Sequence, residues 1–201
     1  GLGADGNDFA PIVPDLVRRD WPAIRFVFPH APVRAVTING GARMRAWYDI
    51  RDVDLANRAD HEGVAESVAQ VDALIAREMT RGVPPERMLL AGFSQGGAIT
   101  LAAGIARAMP LGGLIALSTY LPMGLEQARA SLQPAASAQP VFMGHGVFDP
   151  VVPAAGGEAA ASALRDFGFE VQWRRYPMQH SVCAEEIRDL GDWMTARFVA
   201  G

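Results

Sequence analysis

Hydrophobic and polar positions along the chain follow two alternating periods, clearest after residue 60. Between residues 62 and 81, Val64, Val68, Val71, Ile75 and Met79 recur at helical spacing, and Gly82 with Pro84-Pro85 beyond it supplies a stop. An apolar run over 88–93 then predicts a buried strand. A helix is expected over 96–109, with Ala98, Ala102, Ala103 and Ala106 small enough to lie close against a sheet. The apolar runs 111–117 and 141–145 predict two more buried strands. Phe169, Val171 and Trp173 alternate at the start of a strand reaching residue 176. Helices are expected over 125–132, 157–167 and 185–199, the last with Ile187, Leu190, Met194 and Phe198 facing inward.

The first sixty residues are less regular. A helix is expected over 10–20, with Ile12, Leu16 and Val17 on its inner face, and then a strand over 24–28 halted by Pro29. Residues 30–54 read as a long loop able to hold a short hairpin, a length that usually carries function. The opening nine residues have glycine at 1, 3 and 6, which suits a loop whose backbone approaches something closely. Such a loop normally hangs from the end of a buried strand, so a leading strand is expected to be missing ahead of Gly1. Strands and helices alternate and the strands are apolar throughout. The fold class is therefore α/β: a mostly parallel sheet covered on both faces by helices, with no large lid.

Composition narrows this further. At 201 residues, half of them hydrophobic and a fifth charged, the chain can bury a substantial core and is expected to form one domain over 1–201. The net charge of −4, with lysine and arginine scattered, offers no basic patch for nucleic acid. No apolar run approaches the ~18 residues of a membrane span. A single cysteine, Cys183, allows no internal disulfide or cysteine-based metal cluster and fits a reducing, cytoplasmic setting. Four scattered histidines without an H-E-x-x-H give no metal site.

The candidate chemistry centres on Gly92-Phe93-Ser94-Gln95-Gly96, a G-x-S-x-G between a predicted strand and a predicted helix. In that setting a sharp turn presents the serine hydroxyl at the carboxyl edge of the sheet, with the helix N-terminus beneath it. A serine needs a base, and a histidine serves best when a carboxylate fixes its tautomer. The expected chain order is Ser, then Asp or Glu, then His. Asp149, just after strand 141–145, and His180, just after strand 169–176, satisfy it. His30 precedes Ser94, His61 starts a polar helix, and His145 comes before Asp149. Asp149-Pro150 is also an ordinary turn opener, and Cys183, beginning a helix, suits a small buried residue better than a second nucleophile. Two oxyanion donors are also needed: the backbone N–H of Gln95, directly after the nucleophile, and one from the glycine-rich opening, for which Leu2 is the choice. No Gly-Lys-Ser/Thr completes a phosphate cradle.

Taken together, Gly1-Leu2-Gly3-Ala4-Asp5-Gly6-Asn7-Asp8-Phe9, Pro29-His30-Ala31-Pro32-Val33-Arg34, Trp47-Tyr48-Asp49-Ile50, Gly92-Phe93-Ser94-Gln95-Gly96-Gly97, His145-Gly146 with Asp149-Pro150, and His180-Ser181 resemble the phospholipase/carboxylesterase family, which includes acyl-protein thioesterases. The resemblance runs in register along nearly all the chain. It implies an α/β-hydrolase fold and cofactor-free hydrolysis of small-molecule esters or thioesters by Ser94, Asp149 and His180, with oxyanion donors at Leu2 and Gln95. It also places acyl-channel lining at Val151 and Val152, and Trp47 and Tyr120 near the entrance. Two departures stand out: Arg45-Ala46 where Pro-Ser is usual, and apolar Phe148 beside Asp149. The expectation is a serine carboxylesterase for short-to-medium acyl esters, acting as monomer or homodimer. Acyl-protein thioesterase or lysophospholipase activity is the near alternative, and a non-catalytic binding protein on the same fold the distant one.

Overall fold

The computed structural model describes residues 1–58 and 60–199; residues 59, 200 and 201 of the expected 1–201 span lie outside it. Within the expected long loop the chain makes a hairpin, β1 (Val33–Val36) antiparallel to β2 (Ala42–Arg45), turned by Gly40 and Gly41 at φ of 65° and 80°. The later apolar runs become β3 (Leu89–Phe93), β4 (Gly113–Leu117), β5 (Val141–Gly146) and β6 (Val171–Tyr176). These pair in that order, all parallel. The helices are α1 (Val13–Leu16), α2 (Leu55–Arg58), α3 (His61–Thr80), α4 (Gln95–Ile105), α5 (Leu125–Ser131), α6 (Ala154–Asp166) and α7 (Ala184–Val199). No helix among the described residues is long and apolar enough to cross a membrane.

Period-two alternation along the strands divides the core into two layers. Leu114, Ala116, Val141 and Met143 face α3, α4 and α6, whose Ile75, Leu101 and Leu164 are buried with them. Ile115, Leu117 and Phe142 point the other way, onto Leu16 of α1 and Leu190, Trp193 and Met194 of α7. Fully burying a side chain of this size contributes about 1.5–3 kcal/mol. The sheet is thus held from both faces, and the carboxyl ends of its strands share one edge.

Three expectations need correction. The helix expected over 10–20 is a 3-10 turn (Ala10–Ile12) running into one turn of α1; it stops at Leu16, with Val17 extended and exposed rather than inward. Tertiary bonds to α7 take over there: Arg18 pairs with Asp192 at 2.6 Å, and the Trp21 indole donates to Thr195 Oγ1 at 2.7 Å. The segment 24–28 forms no ladder, and Val27 and Phe28 are exposed although the rings of Phe26 and Phe28 stack at 6.2 Å. Strand-forming side chains cannot make a strand without a neighbour's backbone, and β3 pairs only with β4 among the described residues. Finally, α4 ends at Ile105, leaving Ala106 exposed, and Arg107 folds back to donate to the Met109 carbonyl at 2.9 Å ahead of Pro110.

One buried acid sits in this core. Glu186, in the first turn of α7, is fully buried against Gly144 of β5, and neither carboxylate oxygen has a partner among the described residues. Burial first, and the charge of Asp189 second, push its carboxyl up to about 8 from an ordinary 4.5, so it is neutral at pH 7. A raised carboxyl contributes fully below the ordinary value, and its contribution is lost as pH rises through the folded one. Glu186→Gln removes that titration. The unfolding free energy of the variant, from urea titrations, should gain on wild type by about 1–4 kcal/mol between pH ~5 and ~8.5; parallel pH profiles would contradict the assignment.

Candidate active site

Ser94 stands between β3 and α4 with φ 56° and ψ −118°, a conformation that side chains rarely adopt. Its N–H donates to Leu117 O at 2.9 Å, and its carbonyl accepts from Thr119 Oγ1 at 2.6 Å and from Ala98 N at 3.0 Å. The turn is tight enough to require glycine on both sides. A β-carbon at Gly92 would overlap the backbone of Gly96, and one at Gly97 would press into Thr119. A β-carbon on Gly96 itself, the last glycine of the motif, would meet only the Trp47 indole at ordinary contact distance, so the positions where a side chain would be crowded are Gly92 and Gly97.

His180, on the loop after β6, places Nε2 at 3.1 Å from Ser94 Oγ and Nδ1 at 2.7 Å from Asp149 Oδ2. Asp149, on the turn after β5, has a fully buried side chain whose Oδ1 accepts the N–H groups of Val151 at 2.9 Å and Val152 at 2.8 Å. That leaves Oδ2 for the imidazole. Two supports were not legible in the chain order. Phe93 lies against the His180 ring at 4.8 Å and is backed by Phe9 at 5.2 Å. His145 is buried behind the acid, 3.5 Å from Asp149 Oδ2, and its Nε2–H donates to Val152 O at 2.8 Å. Burial pushes the His145 imidazole below its ordinary value, which keeps it neutral beside the acid. The other two histidines are accounted for: His30 Nδ1 accepts the Gly6 N–H at 2.9 Å, and His61 is exposed at the start of α3.

The glycine-rich opening is pinned over the serine by Gly3 N–H to Arg45 O at 2.8 Å and by the Gly6 bond. The backbone N–H groups of Leu2 and Gln95 have no partner among the described residues, and both residues wall the cleft over Ser94. The Gln95 side chain does something else: Oε1 accepts Trp47 N–H at 2.9 Å and Nε2 donates to Tyr48 O at 2.7 Å. The cleft has a volume of about 460 Å³ and adjoins a second of about 340 Å³. Tyr120 and Val151 are among its walls; Trp47 and Val152 are not. Trp47 packs into the core margin and Val152 is buried holding Asp149 and His145. Sequence reasoning missed Ile50 and Arg58 in the wall. Ile50 was visible only as the end of the Trp47-Tyr48-Asp49-Ile50 stretch and Arg58 belongs to no motif, so their position depends on how 46–58 folds.

Comparison with known proteins gives the chain relatives along nearly its whole length. A protein from Neurospora crassa named acyl-protein thioesterase 1 is 38% identical over 98% of this chain and 84% of its own length. A rice protein named "Probable carboxylesterase Os04g0669500" is 34% identical over 96% of this chain and 74% of its own. The crystal structure of Arabidopsis thaliana SOBER1 superposes with a TM-score of 0.92 at 32% identity, covering 98% of this chain and 95% of that one. Fold and relatives together define a serine hydrolase with the α/β-hydrolase architecture. Within that class the chain belongs to the phospholipase/carboxylesterase family, whose model matches residues 1–197.

The loops carrying Asp149 and His180 touch at a glycine. A β-carbon on Gly146 would overlap the carbonyls of Met178 and Gln179, directly before His180. Displacing a reacting group by about 1 Å can cost 10²-fold. Gly146→Ala should therefore lower kcat on 4-nitrophenyl acetate by about 100-fold with a smaller change in KM, and an unchanged kcat would remove Gly146 from this role.

Proposed function

We propose that this chain hydrolyses carboxylic esters with short-to-medium acyl groups through an acyl-enzyme on Ser94. The observation that carries the reading is the continuous relay from Ser94 Oγ through His180 to Asp149, at 3.1 and 2.7 Å. In this mechanism His180 Nε2 takes the hydroxyl proton as Ser94 Oγ adds to the ester carbonyl. Asp149 accepts from His180 Nδ1–H and stabilises the imidazolium. The oxyanion takes the N–H groups of Leu2 and Gln95, both unpartnered among the described residues. Collapse of the adduct sends the proton from Nε2 to the leaving alcohol. Water then repeats the cycle on the acyl-enzyme: its proton goes to His180, its hydroxyl to the acyl carbon, and the proton returns to Ser94 as the acid departs.

Acyl length is the finer part of the proposal. The first cleft alone suits a small acyl group, and a single 1–201 catalytic domain without a lid suits small-molecule esters in the cytoplasm. Acyl-protein thioesterase activity is the second reading. It is favoured by the names of several relatives and by the adjoining cavity, whose walls include Ile38, Val53, Pro150 and Pro153.

Ser94→Ala should lower kcat by about 10⁵-fold or more; a variant keeping a tenth of wild-type activity would end the proposal. Turnover of 4-nitrophenyl acetate, octanoate and palmitate, with an acyl thioester beside each, separates the two readings. The first expects kcat/KM to peak at or below octanoate on the oxygen esters, and a peak at palmitate with thioester preference would replace it with the second.

A further inference from the structure

Arg58, the last residue of α2, is more than nine-tenths buried and lines both cavities. Its guanidinium is held by backbone carbonyls: Nη2 donates to Val53 O at 2.7 Å, and Nη1 and Nη2 each donate to Val151 O at 3.2 Å. Its carbon centre lies over the Tyr120 ring, 5.5 Å from the centroid. Among the described residues the buried Nε–H has no partner and Arg58 takes part in no ion pair. Nearby acids are engaged elsewhere: Asp60 with Arg51 at 3.2 Å, Asp49 with the Thr37 N–H at 2.7 Å, and Asp149 with His180. A guanidinium removed from water without a counter-charge is costly, and a carboxylate matches its fork with charge-assisted bonds.

Its placement says which part of a substrate it meets. Ser94 and His180 wall only the first cavity, whereas Arg58 is shared with the second, together with Leu2, Ile50 and Val151. The leaving oxygen has to face His180 Nε2 to receive its proton, so the acyl group is the part that extends toward Arg58. The wall's acid, Asp8, lines the first cavity only and is exposed. An alkyl tail passing the junction would cover an unpaired cation with hydrocarbon.

From this we infer that Arg58 receives a carboxylate at the far end of the acyl group, making half-esters of dicarboxylic acids the preferred substrate class. The inference rests on the ester hydrolysis proposed for Ser94. Water is the only co-reactant: the acyl C–O bond breaks, the hydroxyl stays on the acyl carbon, and the alcohol leaves with the other proton. The new carboxyl group then ionises into solvent, leaving a dicarboxylate.

The test compares mono-4-nitrophenyl adipate with its methyl ester, which differs in charge but little in shape, and brackets the length with the succinate and suberate half-esters. Wild type should favour at least one free acid over its methyl ester by about tenfold or more in kcat/KM. Arg58→Met should reduce that ratio by about 100-fold, while Arg58→Lys keeps part of it. Thermal melting checks that each variant folds. If Arg58→Met does not fold, competitive inhibition of wild type decides: adipate should bind about tenfold tighter than hexanoate. Faster turnover of every methyl ester, equal inhibition by adipate and hexanoate, or an unchanged ratio in a folded Arg58→Met would overturn the inference and leave ester hydrolysis standing. Absence of turnover on all of these esters, with no labelling of Ser94 by a fluorophosphonate, would instead remove the hydrolase reading on which it depends.

Discussion

The arrangement depends on one backbone conformation, that of Ser94 at the end of β3. A non-glycine residue at φ 56° and ψ −118° carries strain of about 1–3 kcal/mol, so its surroundings have to over-determine it. They do so from two directions. Leu117 and Thr119 hold the serine backbone from the end of β4, and the absence of a β-carbon on Gly92 lets the backbone of Gly96 close against it. The end of β4 is itself unusual: Ser118 has φ 51° and donates its N–H to Gly144 O of β5. Adjacent strands therefore end in kinked residues, and the second kink swings Thr119 beneath the first. Parallel pairing matters here because it brings the carboxyl ends of β3, β4, β5 and β6 to one edge.

The same edge solves an electrostatic problem. A buried carboxylate is tolerable only if donors replace its water. Asp149 receives two backbone N–H groups on one oxygen and an imidazole on the other, so its charge and its direction are set together. His145 adds to this by staying neutral. Its Nε2–H is committed to the Val152 carbonyl, the residue whose own N–H holds Asp149, so the acid turn is tied through both backbone groups of one residue. Arg58 extends the brace through the Val151 carbonyl.

Legibility in the sequence followed how local each cause was. The strands β3 to β6 and the helices α3, α6 and α7 could be read because burial on one or both faces imposes a period that the residues themselves display. Segment 24–28 carried the same apolar signal, yet a ladder is a property of two chains of backbone and the signal describes one. The helix near residue 10 was over-read because Arg18 and Trp21 answer to α7, more than 150 positions away. At the site, chain order and strand ends were enough to bring Ser94, Asp149 and His180 together, since the geometry of a parallel sheet leaves few other places for them. Phe93 was visible only as the filler of a motif, His145 was set aside by chain order, and Arg58 lay in an irregular stretch whose folding no periodicity reports. Trp47 and Val152 were expected at the substrate, but they serve the wall from behind.

Gln95 joins two of these parts in one residue. Its amide N–H faces the cleft, while its side chain grips Trp47 and Tyr48, a segment that the Ser67 hydroxyl of α3 also holds through the Trp47 carbonyl. The segment leads directly to Ile50 in the cleft wall. Reshaping this pocket by altering residues 46–50 would therefore tug on the side chain of a residue whose backbone N–H stands unpartnered at the cleft among the described residues. In this enzyme, selectivity and speed are not independent variables: a lineage or an engineer that widens the wall there must also re-seat a glutamine, and changes around Val151 would bear instead on the N–H that holds Asp149.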